Sequence, residues 1–318
     1  MILPGTPIAR GERVMRTRFA PSPTGDLHLG GAYVALASWH MARRKKGTIV
    51  VRMEDLDTPR VLRGSAARIL EDLRWLGLAW DELTLQSDRT AAYEAALAGL
   101  ADRGLTYPCD CSRAEIVRSA SAPHAGEESV YPGTCRAKKP ERPMKRSAAI
   151  RLKIPAGTVV TLRDEIQGTV TQDLARDVGD FVLQRGDGIY AYQLAVLVDD
   201  AASRVSDVVR GADLLLSTPR QIHLATLLGA AAPRYWHLPL VVDAHGERIA
   251  KRTHGARVRA LREAGVSREE ILGELAFALG LTKRAAPASL EELIACPWAP
   301  APPREGWRIP AKWAATST

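Results

Sequence analysis

The chain has 318 residues, 46% of them apolar and 25% charged. These values exclude intrinsic disorder, a collagen-like repeat and a miniature disulfide scaffold, and the length suits one large or two small domains. A formal net charge of +8 fits a polyanionic partner such as nucleic acid, although a solvated basic surface gives the same balance. No run approaches the ~18 consecutive apolar residues needed to span a bilayer; the best, Leu194 to Val198, is strand-sized. The N-terminal residues Pro4, Gly5, Pro7, Arg10, Glu12 and Arg13 lack the apolar core of a secretory signal. The expectation is a cytoplasmic protein with no membrane contact, and nothing in the pattern calls for an obligate protein partner. Of the four cysteines, Cys109, Cys111 and Cys135 cluster in one stretch, which suggests a metal rather than disulfides. Cys296 stands apart, as a small apolar residue or a bystander.

From Val14 to Phe19 apolar and basic residues alternate as in a strand, and Ala20-Pro21-Ser22-Pro23-Thr24-Gly25 breaks the pattern. Helix formers fill Ala32 to Arg44 until Gly47, and Thr48 to Met53 reads as a second strand ending in Glu54-Asp55-Leu56-Asp57. This is a βαβ unit, the first half of a nucleotide-binding core over residues 14–106, with helical patterns at 65–76 and 90–103. Residues 107–180 read as an insertion that carries the cysteines, short strands at 149–154, 159–163 and 168–170, and the cations Arg136, Lys138, Lys139, Arg142, Lys145 and Arg146. A second half of the core is expected over 181–255. Its elements are the run Phe181 to Gln184, a Gly186-Asp187-Gly188 turn, a strand from Tyr190 to Val198 closed by Asp199-Asp200, a strand at 205–210, a helix at 219–228 and a strand at 237–242. Residues 256–318 read as a helical segment and, after Ala285, an Ala/Pro-rich tail whose Trp298, Trp307 and Trp313 show no periodicity.

The most specific stretch is Arg18-Phe19-Ala20-Pro21-Ser22-Pro23-Thr24-Gly25 followed by Leu27-His28-Leu29-Gly30-Gly31. A proline-stiffened, glycine-rich loop opening a helix gathers backbone N–H groups and a positive dipole end, which suits a phosphate, and His28 adds a donor to it. An ordinary strand-to-helix turn with a satisfied histidine would account for the glycines alone. Glu54, at the end of the second strand, could hold an ammonium group, while a solvated strand end or a helix N-cap is the plainer account of Asp55 and Asp57. Arg18 and Arg210 fall at the ends of strands from the two halves, where guanidinium forks suit a second carboxylate.

The octet and its sequel resemble the class I glutamyl-tRNA synthetases, whose first signature is R-F-A-P-S-P-T-G followed by a HIGH-type motif, here His28-Leu29-Gly30-Gly31. Further matches are Arg52 to Arg60, Asp199-Asp200, Val209 to Leu214, and a KMSKS-type segment at Arg248-Ile249-Ala250-Lys251-Arg252. About sixty residues follow Gly255, too few for the long anticodon-reading region of those enzymes. With the cysteine pattern, that shortness is similar to the paralogous glutamyl-queuosine tRNA(Asp) synthetases.

The resemblance implies a Rossmann-type class I catalytic core with a zinc-binding insertion, a small helical C-terminal part and no anticodon-binding domain. It implies glutamate contacts from Arg18, Phe19, Ala20, Pro21, Ser22, Glu54, Tyr192 and Arg210, with Tyr190 a rival for Tyr192. It assigns ATP to His28, Gly30, Gly31 and Lys251, with His28 and Lys251 catalytic and Mg2+ accompanying the nucleotide; Ala250 departs from the family's serine. One structural Zn2+ would take Cys109, Cys111 and Cys135. Chemistry nominates His124 as the fourth ligand, and the resemblance nominates Tyr131, four residues before Cys135. The expected activity is ATP-dependent, tRNA-independent conversion of glutamate to glutamyl-adenylate, followed by transfer to the cyclopentenediol of queuosine in the anticodon of tRNA(Asp). The competing readings are a truncated synthetase that charges the 3′ end of tRNA(Glu), and a noncatalytic basic RNA-binding protein on a synthetase scaffold.

Overall fold

The computed structural model describes residues 14–119, 130–242, 257–298, 302 and 306–314. The chain opens with strand β1 (Arg16–Phe19), helix α1 (Leu29–Arg44) and strand β2 (Thr48–Met53). β1 and β2 pair in parallel, Arg18 opposite Val50, as the alternation and the intervening helical pattern require. The turn between α1 and β2 needs Gly47, because a Cβ there would lie 2.4 Å from Met15 O. Helix α2 (Ser65–Trp75), strand β3 (Glu82–Leu85) and helix α3 (Thr90–Asp102) complete the first half.

The middle of the chain forms β4 (Thr106–Cys109), α4 (Arg113–Ser119), β5 (Ala149–Leu152), β6 (Val159–Asp164), β7 (Gly168–Asp173), α5 (Leu174–Asp177) and β8 (Val182–Gln184). β4, β5 and β8 make a three-stranded antiparallel sheet, and β6 and β7 a hairpin. The run from Phe181 therefore joins this small sheet rather than the parallel one.

Helix α6 (Tyr192–Ala202), strand β9 (Asp207–Gly211), helix α7 (Thr218–Leu228) and strands β10 (Arg234–Leu238) and β11 (Val241–Val242) follow. The strand expected from Tyr190 to Val198 is instead α6. Leu194, Ala195, Val196 and Leu197 are all buried, and a run apolar on every side gives no period by which to tell a buried strand from a buried helix. Asp199 and Asp200 thus lie inside a helix, not at a strand end. The last elements are α8 (Val258–Glu263), α9 (Arg268–Ala278), α10 (Leu290–Ala295), β12 (Trp307–Arg308) and α11 (Ala311–Ala314).

The principal sheet has five parallel strands in the order β10-β9-β1-β2-β3. β1, from the start of the chain, thus lies against β9, with Thr17 opposite Asp207, and the loops leaving β1, β2 and β9 open at one edge. α1 crosses this sheet and is buried over most of its circumference against β1, β9, α9 and α10. The tail without periodicity is part of the same core. Trp307, Ile309 and Trp313 are buried in it, β12 pairs in parallel with β11, Trp307 stacks on Tyr33, and Trp298 packs edge-on to Trp236. Each tryptophan anchors a separate turn of chain, which leaves no repeat to read. Among the described residues no helix is long and apolar enough to cross a membrane. Replacing Trp313, 2% exposed, by Ala should cost about 3–5 kcal/mol of stability, measured as a lowered denaturant midpoint at unchanged m-value.

Candidate active site

The loop from Ala20 to His28 is sewn to its surroundings by backbone. Glu54 N–H donates to Pro21 O and Leu62 N–H to Pro23 O, each at 2.9 Å, and Ser65 Oγ bonds both the N–H and the carbonyl of Gly25. Phe19 is buried beneath it, whereas Ala20 and Pro21 are half-buried and Ser22 is exposed. His28 is the extended N-cap of α1, and its Nδ1 accepts from Gly31 N–H at 3.0 Å. A Cβ at Gly30 would come within 3.1 Å of that nitrogen, and one at Gly31 within 2.9 Å of Leu27. The two glycines therefore let the imidazole lie flat against the helix start, leaving an exposed, positively polarised helix terminus beside the loop.

Behind the loop runs a buried ionic network. Arg52, 1% exposed on β2, donates to Asp200 at 2.6 Å, reaches Glu54 at 3.4 Å and stands 3.8 Å from Asp199. Arg18 on β1 donates to Asp200 and to Val209 O at 3.3 and 3.0 Å; among the described residues its Nη2 has no hydrogen-bond partner. Asp199 accepts from Arg89 at 2.6 Å and from Tyr93 and Gln86 at 2.8 Å. Burial pushes the Glu54 carboxyl above its ordinary value against the pull of Arg52 and Arg18.

Arg210, 5% exposed at the end of β9, is surrounded by neutral groups. Its Nε bonds His237 Nε2 at 3.0 Å, its Nη2 bonds Thr218 Oγ1 and Gln221 Oε1 at 2.8 Å, and its Nη1 bonds Tyr192 Oη at 3.2 Å. Gln221 is itself held by Gln193 at 2.9 Å. Among the described residues Arg210 has no carboxylate within ion-pair distance, so its charge is available to an anion. Burial raises the Tyr192 pKa, with Arg210 opposing and Glu54 and Asp200 assisting, which places Tyr192 among the same charges as a hydroxyl donor. Tyr190 turns elsewhere, packing on Tyr93 at 5.5 Å. Asp55 accepts from the backbone N–H and hydroxyl of Ser87, and Asp57, at the N-cap of the short turn Thr58–Arg60, pairs with Arg60. Arg248, Ala250 and Lys251 lie outside the described residues.

Cys109, Cys111 and Cys135 bring their sulfurs within 4.8 Å of one another. Tyr131 Oη stands 3.3 Å from Cys109 Sγ and 3.8 Å from Cys111 Sγ, so three thiols and a phenol converge, a donor set that fits tetrahedral zinc. The Tyr131 ring is covered by the Arg151 guanidinium at 3.8 Å. His124 lies outside the described residues. Most of the basic stretch behind this cluster is already paired: Arg136 with Asp180, Arg142 with Asp110, and Lys145 and Arg146 with Glu115. Lys138 and Lys139 are exposed. The groups around Arg210 from Asp164, Gln193, Thr218, Gln221 and His237 had no sequence signal beyond the glutamine that follows Tyr192.

Residues 14–295 match the model of the catalytic domain of class I tRNA synthetases for E and Q. The chain belongs to this family. It is 50% identical over 270 residues to a glutamyl-Q tRNA(Asp) synthetase of Deinococcus radiodurans, covering 82% of this chain and 88% of that one. The protein of that name from Geobacter sulfurreducens is 49% identical over 265 residues, covering 83% and 82%. Among solved structures, a glutamate tRNA ligase of Elizabethkingia meningosepticum in complex with its amino acid superposes with a TM-score of 0.82 at 26% identity, covering 95% of this chain and 68% of that one. The synthetase fold expected from the motifs is thus present. Because Arg52 compensates Asp199, Asp200 and Glu54, Arg52→Met should cost about 3–5 kcal/mol, read as a loss of thermal and denaturant stability.

Proposed function

We propose that this synthetase-family protein activates glutamate with ATP and transfers it to the queuosine of tRNA(Asp), without needing tRNA for activation. The observation that carries the reading is Arg210: a buried guanidinium held by neutral partners, beside a Tyr192 that is itself within the electrostatic reach of Arg18 and Glu54, at the edge where a parallel sheet receives ligands. The names of relatives about half identical supply the acceptor.

In this reading Glu54 takes the α-ammonium, relieving a carboxyl whose pKa burial has raised. Arg210 Nη1 and Tyr192 Oη take the side-chain carboxylate, with Arg18 at its flank, while the backbone of Phe19, Ala20, Pro21 and Ser22 walls the pocket. The substrate α-carboxylate attacks the α-phosphorus of ATP, the bond to pyrophosphate breaks, and glutamyl-adenylate forms. A hydroxyl of the queuosine cyclopentenediol then attacks the acyl carbon and AMP departs. His28, Gly30 and Gly31 hold the phosphates at the α1 N-terminus, and Lys251 neutralises the departing pyrophosphate. Mg2+ would share that charge. No enzyme nucleophile is required. Zinc would be held by Cys109, Cys111, Cys135 and Tyr131, joining the end of β4 to the turn before Arg136.

Three measurements test this. Glutamate-dependent exchange of pyrophosphate into ATP should proceed without tRNA, and Arg210→Ala should lower its efficiency at least tenfold to a hundredfold, the cost of removing one member of a buried charged contact. Radiolabelled glutamate should appear on queuosine in tRNA(Asp); label on the 3′-terminal adenosine of tRNA(Glu) instead would overturn the acceptor. Protein purified without chelator should contain about one zinc per chain, lost in Cys109→Ser and weakened in Tyr131→Phe.

A further inference from the structure

Behind Arg210 stands a pair of groups that the reaction above leaves unused. His237 on β10 and Asp164 at the end of β6 are both buried. Asp164 Oδ2 lies 2.6 Å from His237 Nδ1, and His237 Nε2 lies 3.0 Å from Arg210 Nε. The series thus runs from the β6–β7 hairpin, through the edge strand of the main sheet, to the guanidinium.

Thr218 Oγ1, which accepts from Arg210 Nη2, also lies 3.1 Å from His237 Nε2 and can donate to it. A guanidinium offers N–H donors and no acceptor, so Arg210 Nε donates and His237 Nε2 accepts. Nε2 therefore carries no proton, and a neutral ring must carry it on Nδ1, facing Asp164. Asp164 also accepts from the backbone N–H groups of Ile166, Gln167 and His237, so every neighbour in this set is a donor to it. Burial, helped by the Arg210 charge, lowers the His237 pKa against the pull of Asp164 and keeps the ring neutral.

The remaining donors explain why the tautomer matters. Nη2 is committed to Thr218 and Gln221, and Nε to His237, so Nη1 beside Tyr192 is the part of the fork left for a ligand. We propose that Asp164 and His237 are positioning residues for recognition of the substrate's side-chain carboxylate: they fix the Nδ1–H imidazole that gives Arg210 Nε its acceptor and sets the plane in which Nη1 is presented. The inference rests on the reading that Arg210 binds glutamate. It also gives the hairpin a part in substrate selection. Docking the hairpin does not itself need the Asp164–His237 contact, because Gln167 Nε2 donates to His237 O at 2.8 Å and Glu165 N–H to Tyr235 O at 3.0 Å.

Asp164→Asn is the informative variant. Its Oδ1 can keep the hairpin amides, which turns the NH2 group toward His237 Nδ1 and moves the ring proton to Nε2, donor against donor with Arg210. In pyrophosphate exchange the KM for glutamate should rise about tenfold or more, while kcat and the KM for ATP stay within about twofold. His237→Phe should raise the same KM, and the double variant should be no worse than the greater single effect. Gln167→Ala, which loosens the hairpin without touching the imidazole, should leave that KM unchanged. Nitrogen NMR of histidine-labelled protein should show the Nδ1–H form for His237 in the unaltered protein and Nε2–H in Asp164→Asn. An Nε2–H tautomer in the unaltered protein overturns the proposal. So does an Asp164→Asn protein with normal glutamate KM, or one whose kcat and both KM values deteriorate together with its thermal midpoint. If Asp164→Asn does not fold, the native tautomer and His237→Phe decide the matter. Arg210→Ala separates the two levels: a normal glutamate KM there defeats the underlying reading, whereas a raised KM there with a normal one in His237→Phe defeats the positioning role alone.

Discussion

The buried guanidinium of Arg52 is the constraint around which the two halves of the core are arranged. It lies within β2, yet the carboxylates it faces, Asp199 and Asp200, belong to α6, almost 150 residues later in the chain. Asp200 passes the connection to Arg18 on β1, and Asp199 passes it to Tyr93 and Arg89 at α3. Such a network contributes little net stability over a well-packed apolar equivalent, but any misregister of α6 would strand a charge in the interior. It therefore specifies where the halves meet more than how tightly they hold. Arg18 and Glu54, which the proposed reading assigns to glutamate, are held by the same contacts, so in that reading they need little reorganisation when a ligand arrives.

The pairing of β1 with β9 does the complementary work in the backbone. A parallel sheet delivers all its strand ends to one edge, so Arg18 and Arg210, remote in sequence, rise from adjacent strands. Their surroundings differ in kind. Arg18 is held by a carboxylate and a carbonyl, Arg210 by hydroxyl, amide and imidazole. One arginine is thus largely neutralised and the other retains its charge, a division that in the proposed reading would give an amino acid with two carboxylates a defined orientation.

What the sequence disclosed was local. The octet from Arg18 to Gly25 and the glycines after His28 each carry their chemistry within a few residues, the cysteines fall within one stretch of chain, and the first βαβ unit follows from the change in period between Phe19 and Thr48. The run from Tyr190 to Val198 misled because a helix buried on all sides has no polar face to set its period. Asp164 and His237 left no trace for a different reason: an aspartate in a turn and a histidine in a strand acquire meaning only when the hairpin is laid on β10. The three tryptophans of the tail were conspicuous by composition, yet the partners of two of them, Tyr33 for Trp307 and Trp236 and His40 for Trp298, come from remote elements.

The pairing of β11 with β12 has a genetic consequence. Val241 and Val242, which precede the KMSKS-type segment by a few residues, pair in parallel with Trp307 and Arg308, with Leu240 O accepting from Trp307 N–H and Val242 O from Ile309 N–H. A frameshift or premature stop between codons 253 and 306 would leave every motif residue encoded and still remove the strand against which that approach is laid. Such an allele would be scored as harmless by inspection of its signatures, and its defect would lie in the loss of a two-residue ladder and of two buried tryptophans.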